Sequence, residues 1–316
     1  MSKIAAPVPI PVQRPVLALG LRVIAAFAIS TMFMFGKRAA ETGVALPEVM
    51  FWRQVVTLPM LLGYLAINSG FGNGGLSRLR TGRIRSHALR AGSGSAGMFC
   101  NLLSVTLLPL AESTTFNFAA PLFAVIITAL ILREHVGLWR WTAVVFGFAG
   151  VLVITQPGHL PIPALGAAAG LISALFNASI SFQIRDLGRT EEPISVVFYF
   201  ALFGTLLMAL FMPFYYTPHT LGQWGLLLGV GVAGTIGQLF MTAALRLGSV
   251  ASVIVMDYSG IIWATLYGWL LWNQLPQTTT WLGAPLIIAA GCVIAWREHK
   301  LARAASVLST VGVSSA

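Results

Sequence analysis

Ten stretches of roughly 20 apolar residues follow one another along the chain, at about 17–38, 48–67, 88–108, 113–132, 138–155, 163–184, 193–214, 222–245, 251–272 and 279–296. An α-helix rises about 1.5 Å per residue, so each run matches the roughly 30 Å hydrocarbon layer of a bilayer. Within that layer a backbone must satisfy its own hydrogen bonds, which leaves helices and closed barrels. Barrel strands would need segments of about ten residues alternating in polarity, and these runs do not alternate. Helix-start chemistry agrees: Pro47 precedes Glu48, Pro163 opens the sixth run, and Pro193 follows Glu191 and Glu192. Composition closes off the water-soluble alternative. Hydrophobic residues make up 57% of the chain and charged residues 9%, against about 25% charged in a soluble domain. The expected fold is an all-α membrane protein with ten transmembrane helices.

The net charge of +10 would suit nucleic acid if the cations formed a patch. Instead they sit mainly in the connectors, where Lys and Arg set the orientation of membrane proteins. With the N-terminus in the cytoplasm, sixteen of the 19 Lys and Arg fall on the inner side. They are Lys3, Arg14 and Arg22; Arg78, Arg80, Arg83, Arg85 and Arg90; Arg133 and Arg140; Arg185 and Arg189; Arg246; and Arg297, Lys300 and Arg303. Lys37 and Arg38 fall outside, and Arg53 lies within the second run. A multi-pass protein of the cytoplasmic (inner) membrane with both termini in the cytoplasm follows. Its partners are the lipid bilayer and a small-molecule solute, with no nucleic acid; a homodimer is left open. Residues 1–16 read as a proline-rich, disordered cytoplasmic lead, and 299–316 as a cytoplasmic tail, loose from about Ala304. Cys100 and Cys292 each lie inside an apolar run, so a disulfide framework is not expected.

Two segments share the pattern G-x-G-x-x-G: Gly92, Gly94, Gly97 and Gly229, Gly231, Gly234. The dinucleotide-binding reading of that pattern needs a preceding strand and a βαβ unit, and both copies lie in membrane-length runs. Each glycine recurs 137 positions later, and the same offset pairs Asn101 with Gln238, Leu108 with Leu245, Leu110 with Leu247 and Ala111 with Gly248. The third and eighth runs therefore look like copies, and each repeat holds five helices: 17–156 and 157–298. An odd number makes the second copy enter the membrane in the opposite sense, the inverted-repeat layout recurrent in secondary transporters. Glycines on such helices allow close approach.

The order and spacing of several short motifs resemble the drug/metabolite transporter superfamily, specifically its EamA-type ten-helix members. The resemblance covers about 17–298. It runs through Met50-Phe51-Trp52-Arg53, Leu108-Pro109-Leu110-Ala111, Pro121-Leu122-Phe123, and Arg133-Glu134-His135-Val136 with Trp141, Gly147 and Gly150. It continues through Thr155-Gln156-Pro157-Gly158, Gly237-Gln238, Asp257-Tyr258, and Trp281 to Gly291. It implies two EamA repeats around a central cavity, alternating access, and export or import of amino acids, other metabolites or drugs, often proton-linked. One departure stands out: the fourth run ends in Glu134, whereas the equivalent place near Asn273 is uncharged.

Polar residues inside the runs are the candidate site, because charge at the bilayer centre costs at least about 2.5–3.5 kcal/mol and usually faces a wet cavity or a partner. Asp257 is the candidate proton-coupling carboxylate or ligand for a cationic group, with Tyr258 beside it; the alternative is a structural pair through Tyr258 or Arg246. Arg53 could bind a substrate carboxylate or phosphate, or else pair with Glu48 or Glu112, or snorkel outward. Asn101, Asn117, Asn177 and Gln238 suit orientation of a small polar solute, or bond helix to helix. Trp263 could line the cavity. Lys37, Arg38 and Glu41 read as a solvated cluster at the outer mouth.

Catalysis has little to stand on. Glu134-His135 lacks the second histidine of H-E-x-x-H, and Gly36-Lys37 is followed by Arg38 where a Walker A loop needs Ser or Thr. No metal and no cofactor are expected. An intramembrane enzyme or a non-transporting scaffold is the alternative to a transporter for an amino-acid-like or amphipathic solute.

Overall fold

In a computed structural model the described residues are 15–69, 76–131, 133, 136–155, 162–247 and 255–313. The residues 1–14, Glu134 and His135, Gln156 to Gly158, and Gly248 lie outside them. Among the described residues the chain is helical, without strands. In order come α1 (Pro15–Glu41), α2 (Leu46–Ser69), a 3-10 turn (Leu76–Leu79), α3 (Ile84–Leu107), α4 (Leu110–Asn117), α5 (Ala120–Leu130) and α6 (Leu138–Thr155). Then follow α7 (Ala164–Leu187), α8 (Pro193–Ala209), α9 (Met212–Tyr215), α10 (Leu221–Leu247), a second 3-10 turn (Val255–Ser259), α11 (Gly260–Trp272) and α12 (Thr278–Val313).

Among the described residues seven segments are long and apolar enough to cross a membrane: Val16–Glu41, Leu46–Ile67, Leu110–Leu130, Leu138–Thr155, Ala164–Leu187, Leu221–Leu247 and Thr278–Arg297. The third, seventh and ninth expected runs fall on α3, α8 and α11. Of these, α8 and α11 are short, and α3 carries Arg85, His87, Arg90, Ser93, Ser95, Asn101 and Ser104. The break between α4 and α5 follows from Pro121, which has no N–H to return to the Asn117 carbonyl and whose ring crowds the preceding turn. The tail differs from expectation. Instead of loosening at Ala304, the backbone continues α12 to Val313, through the good helix formers Leu301, Ala302, Arg303, Ala304 and Ala305.

Large apolar side chains such as Phe146, Leu152, Leu165, Leu206, Ile262 and Leu282 stand exposed on the outside. In water such a surface would aggregate; against lipid it is the expected coat. The most extensive packing joins α1 with α10, α3 with α7, and α6 with α12; α2 packs on α8 and α10, and α8 on α3. At the α6–α12 crossing a Cβ on Gly150 would stand 2.8 Å from the Gly283 carbonyl oxygen, and one on Gly283 2.6 Å from that of Gly150. Only glycine permits that approach.

Contacts define two ends. At the first lie the starts of α1, α3 and α8 and the ends of α2, α7 and α10. There Ala18 meets Ala244, and Leu61 and Leu65 meet Ile194 and Val197. Arg83 pairs with Asp186, and Arg78 with Glu192 at 2.6 Å. The second end holds the main core cluster, with Met50, Leu102, Val105, Leu110, Leu227 and Val230.

Candidate functional site

Between the helices, toward the first end, lies a cavity of about 280 Å³ bounded by α1, α2, α3, α4, α5, α7, α8, α10 and the Val255–Ser259 turn. Seven of the side chains singled out from sequence line it: Arg53, Asn101, Asn117, Asn177, Gln238, Asp257 and Tyr258. Trp263 does not. It lies on α11 one turn beyond Gly260, where Phe27 of α1 meets its ring edge-on at a centroid distance of 4.9 Å. Its Nε1 is buried without a hydrogen-bond partner.

Asp257 sits in the 3-10 turn that leads into α11. Its partner is neither Tyr258 nor Arg246. Arg22 of α1 donates from Nε to Oδ1 and from Nη2 to Oδ2, a two-pronged ion pair at the cavity wall. Sequence reasoning counted Arg22 and Arg90 among the cations that orient the chain, and the structure buries both at the cavity. Nothing local distinguishes Arg22 from a connector arginine, because Asp257 is 235 residues away.

Arg53 is 3% exposed and Arg90 2%. Arg53 pairs with neither Glu48 nor Glu112: its Nε points to the Met32 Sδ at 3.2 Å, a weak acceptor, and its Nη1 has no partner. Arg90 donates from Nη2 to Gln238 Oε1 at 3.4 Å, while its Nε and Nη1 have none. Both guanidinium groups approach the ring of Phe200, Arg90 at 3.8 Å and Arg53 at 5.1 Å from its centroid. The glycine motif has a part in this. A Cβ on Gly94 would stand 2.8 Å from Arg90 Nη1, and one on Gly234 2.9 Å from Arg53 Nε. Each copy thus leaves room for one arginine.

The amides divide. Asn117 Oδ1 accepts from Asn177 Nδ2 at 2.8 Å and from Ser173 Oγ at 3.1 Å, and Asn117 Nδ2 donates to the Ser113 carbonyl at 3.1 Å. That pair ties α4 to α7 as well as lining the cavity. Tyr258 stacks edge-on against Phe118 at 4.9 Å, and its hydroxyl has no hydrogen-bond partner.

The second end carries polar groups too, and each of its charged side chains has at least one partner, although Glu48 Oε2, Glu112 Oε2, His219 Nδ1 and Trp52 Nε1 are buried without one. Lys37 is buried, contrary to the solvated cluster expected there, because its Nζ donates to the Leu108 carbonyl at 2.6 Å. That bond satisfies an open carbonyl at the end of α3. Arg38 and Glu41 remain a surface pair at 3.4 Å. Glu48 meets His219 Nε2 at 2.7 Å with both side chains fully buried. Glu112 accepts from the backbone N–H of Gln277 at 2.9 Å and from Thr280 Oγ1 at 3.3 Å, joining α4 to the start of α12.

Among the described residues no three His, Cys, Asp or Glu side chains gather closely enough to hold a metal ion. Membrane-length helices around an internal cavity that carries polar and charged side chains define the class: a multi-pass helical membrane protein built around a solute-sized chamber. Comparison with known proteins narrows it. The chain belongs to the EamA-like transporter family, whose model matches residues 16–156 and again 164–296. It is 31% identical over 281 residues to the pseudopaline exporter CntI of Pseudomonas aeruginosa, covering 89% of this chain and 96% of that one. It is 31% identical to a riboflavin transporter of Vibrio cholerae over 71% of this chain and 76% of that one. With the S-adenosylmethionine uptake transporter of Rickettsia prowazekii it shares 27% identity over 80% of this chain and 84% of the other. One protein of known crystal structure matches with a TM-score of 0.56 at 18% identity, covering 88% of this chain and 98% of that one, which speaks to the fold alone. Family and relatives alike point to transport across a membrane and away from enzymatic catalysis.

Proposed function

We propose that the chain is a secondary transporter that moves a small metabolite across the cytoplasmic membrane by alternating access, with two inverted five-helix repeats enclosing the site. The observation that carries this reading is a largely apolar cavity set with several polar and charged side chains, walled by helices from both halves and capped at one end by a packed core. Taking α4 with α5 as one span, and the Val255–Ser259 turn with α11 as another, gives ten spans. Their packing then follows a two-fold pattern. The first span on the eighth (α1 on α10) is matched by the sixth on the third (α7 on α3), and α2 on α10 by α8 on α3. The pairs α4 and α5 on α7 are matched by α11 on α1, while α6 on α12 and α2 on α8 map onto themselves. The family model matching twice supports the same division. Two related halves can rock about a shared site, so that exchanging their shapes opens the other side.

The solute is amino-acid-like or amphipathic, held by Arg53, Asn101, Gln238 and Tyr258, with Asn117 and Asn177 framing one wall. Asp257 is the coupling carboxylate: a proton and Arg22 compete for the same two oxygens. The lopsided distribution of cations supports cytoplasmic termini and a cavity that faces the cytoplasm here.

Purified protein in liposomes, offered a metabolite mixture with and without an imposed pH gradient, tests both parts. Gradient-dependent accumulation is expected for the native chain and not for Asp257→Asn, which still inserts. Undiminished gradient-driven uptake by the variant contradicts the coupling role; no uptake of any solute contradicts transport.

A further inference from the structure

All carboxylates among the described residues whose side chains are placed are already engaged. Asp257 is held by Arg22, Glu48 by His219, and Glu112 by the start of α12. Glu41 pairs with Arg38, while Asp186, Glu191 and Glu192 meet Arg83, Thr81 and Arg78 at the first end. Among these described side chains no acid is left for Arg53 or Arg90. Both cations are more than nine-tenths buried, both line the cavity, and between them three guanidinium nitrogens have no hydrogen-bond partner. Charge along the cavity wall comes from Arg22, Arg53, Arg90 and Asp257, an excess of positive over negative. A buried, unmatched guanidinium is among the least favourable groups a membrane protein can carry, and is retained where function uses it. The face of Phe200 eases the burial without neutralising it.

We propose that the solute carries two acidic groups, carboxylate or phosphate, one seated on Arg53 and the other on Arg90 across the Phe200 ring. Arginine suits this task because its planar fork meets both oxygens of such a group at once. The separation of the two cations cannot exceed the sum of their distances to the ring centroid, so the acidic groups lie a few bonds apart on one small molecule. Asn101 and Gln238, repeat-related amides that line the same cavity from α3 and α10, then take the polar atoms between them. The inference rests on the transporter reading and narrows it: a zwitterion with a single carboxylate leaves one arginine unmatched.

The test is thermal unfolding of the full-length chain in phosphatidylcholine nanodiscs with succinate, malate or glycerol 3-phosphate, set against propionate and glycerol. The dianions are expected to raise the unfolding temperature, and the monoanion and the neutral alcohol to do so far less. Arg53→Gln and Arg90→Gln should each raise the dianion concentration needed by about tenfold or more, and Arg38→Gln should leave it unchanged. Without ligand the two Gln variants should unfold at the same or a higher temperature than the native chain, since each removes a buried unmatched charge. Equal protection by dianions and by propionate or glycerol overturns the proposal. So do ligand-free Gln variants that unfold well below the native chain, which would make the arginines structural. Nanodiscs doped with phosphatidylglycerol separate a lipid source: stabilisation by that lipid and by none of the soluble dianions assigns the arginines to a headgroup and overturns the solute proposal. A negative result here leaves gradient-driven uptake in liposomes free to succeed, and binding without uptake would sink transport while sparing the anion site.

Discussion

The second end of the bundle and the cavity both bury charged side chains, but only the cavity leaves cations without an acid or a backbone carbonyl to hold them. At the second end Lys37 is spent on the Leu108 carbonyl, Glu48 on His219, and Glu112 on the first turn of α12, amid packed Met50, Leu102 and Val230. At the cavity Arg53 and Arg90 are as deeply buried, yet three of their guanidinium nitrogens are unmatched. Buried polar groups are stabilising only when satisfied. On the proposed transporter reading, the contrast marks the second end as the one held shut and the cavity as the part kept ready for a ligand. On that reading the second end is held by a few replaceable bonds.

Breaking the closed end should have the largest effect. Glu48→Ala strands the fully buried ring of His219 and should cost about 3 kcal/mol, read as a lower unfolding temperature in detergent; a loss confined to a few tenths would mean that the pair does not hold this end. Next comes Gly283→Ala, which drives a methyl to 2.6 Å from the Gly150 carbonyl and 2.4 Å from Ile154 Cγ1. Overpacking of this kind costs about 1–3 kcal/mol. The same assay, with uptake measured alongside, checks it, and an unchanged protein would show that α6 and α12 can separate freely. The smallest effect belongs to Asn177→Ala near the cavity, which removes one interhelical hydrogen bond worth about 0.6 kcal/mol. If its effect on uptake far exceeds that on stability, Asn177 touches the solute as well as Asn117.

Much of this was legible from residue order. Apolar length alone placed seven membrane-length helices among the described residues, and Pro47, Pro163 and Pro193 marked starts that the structure keeps. Amides and Asp257 were legible because a polar group in an apolar run must face something polar. What escaped was pairing. Arg22 and Arg90 sit near the ends of their runs, where arginine ordinarily reaches water, and only contacts between distant segments reveal that Asp257 and Phe200 wait for them. Lys37 was missed for the same reason: its partner is a backbone carbonyl, which no side-chain pattern announces. Trp263 failed because which face of a short helix looks inward depends on its neighbour, here Phe27.

The central claim is that one cavity faces one side of the membrane at a time. It is tested most directly by single cysteines at Ser181 on the cavity wall and Val105 in the second-end core, with Cys100 and Cys292 replaced by Ser, labelled by an impermeant thiol reagent applied to each side in turn. The account predicts that Ser181→Cys reacts from the side of the first end while Val105→Cys is protected, and that a saturating solute gradient across the bilayer reverses both. Simultaneous reaction of both positions, or a Val105→Cys that stays protected under every condition, would contradict it.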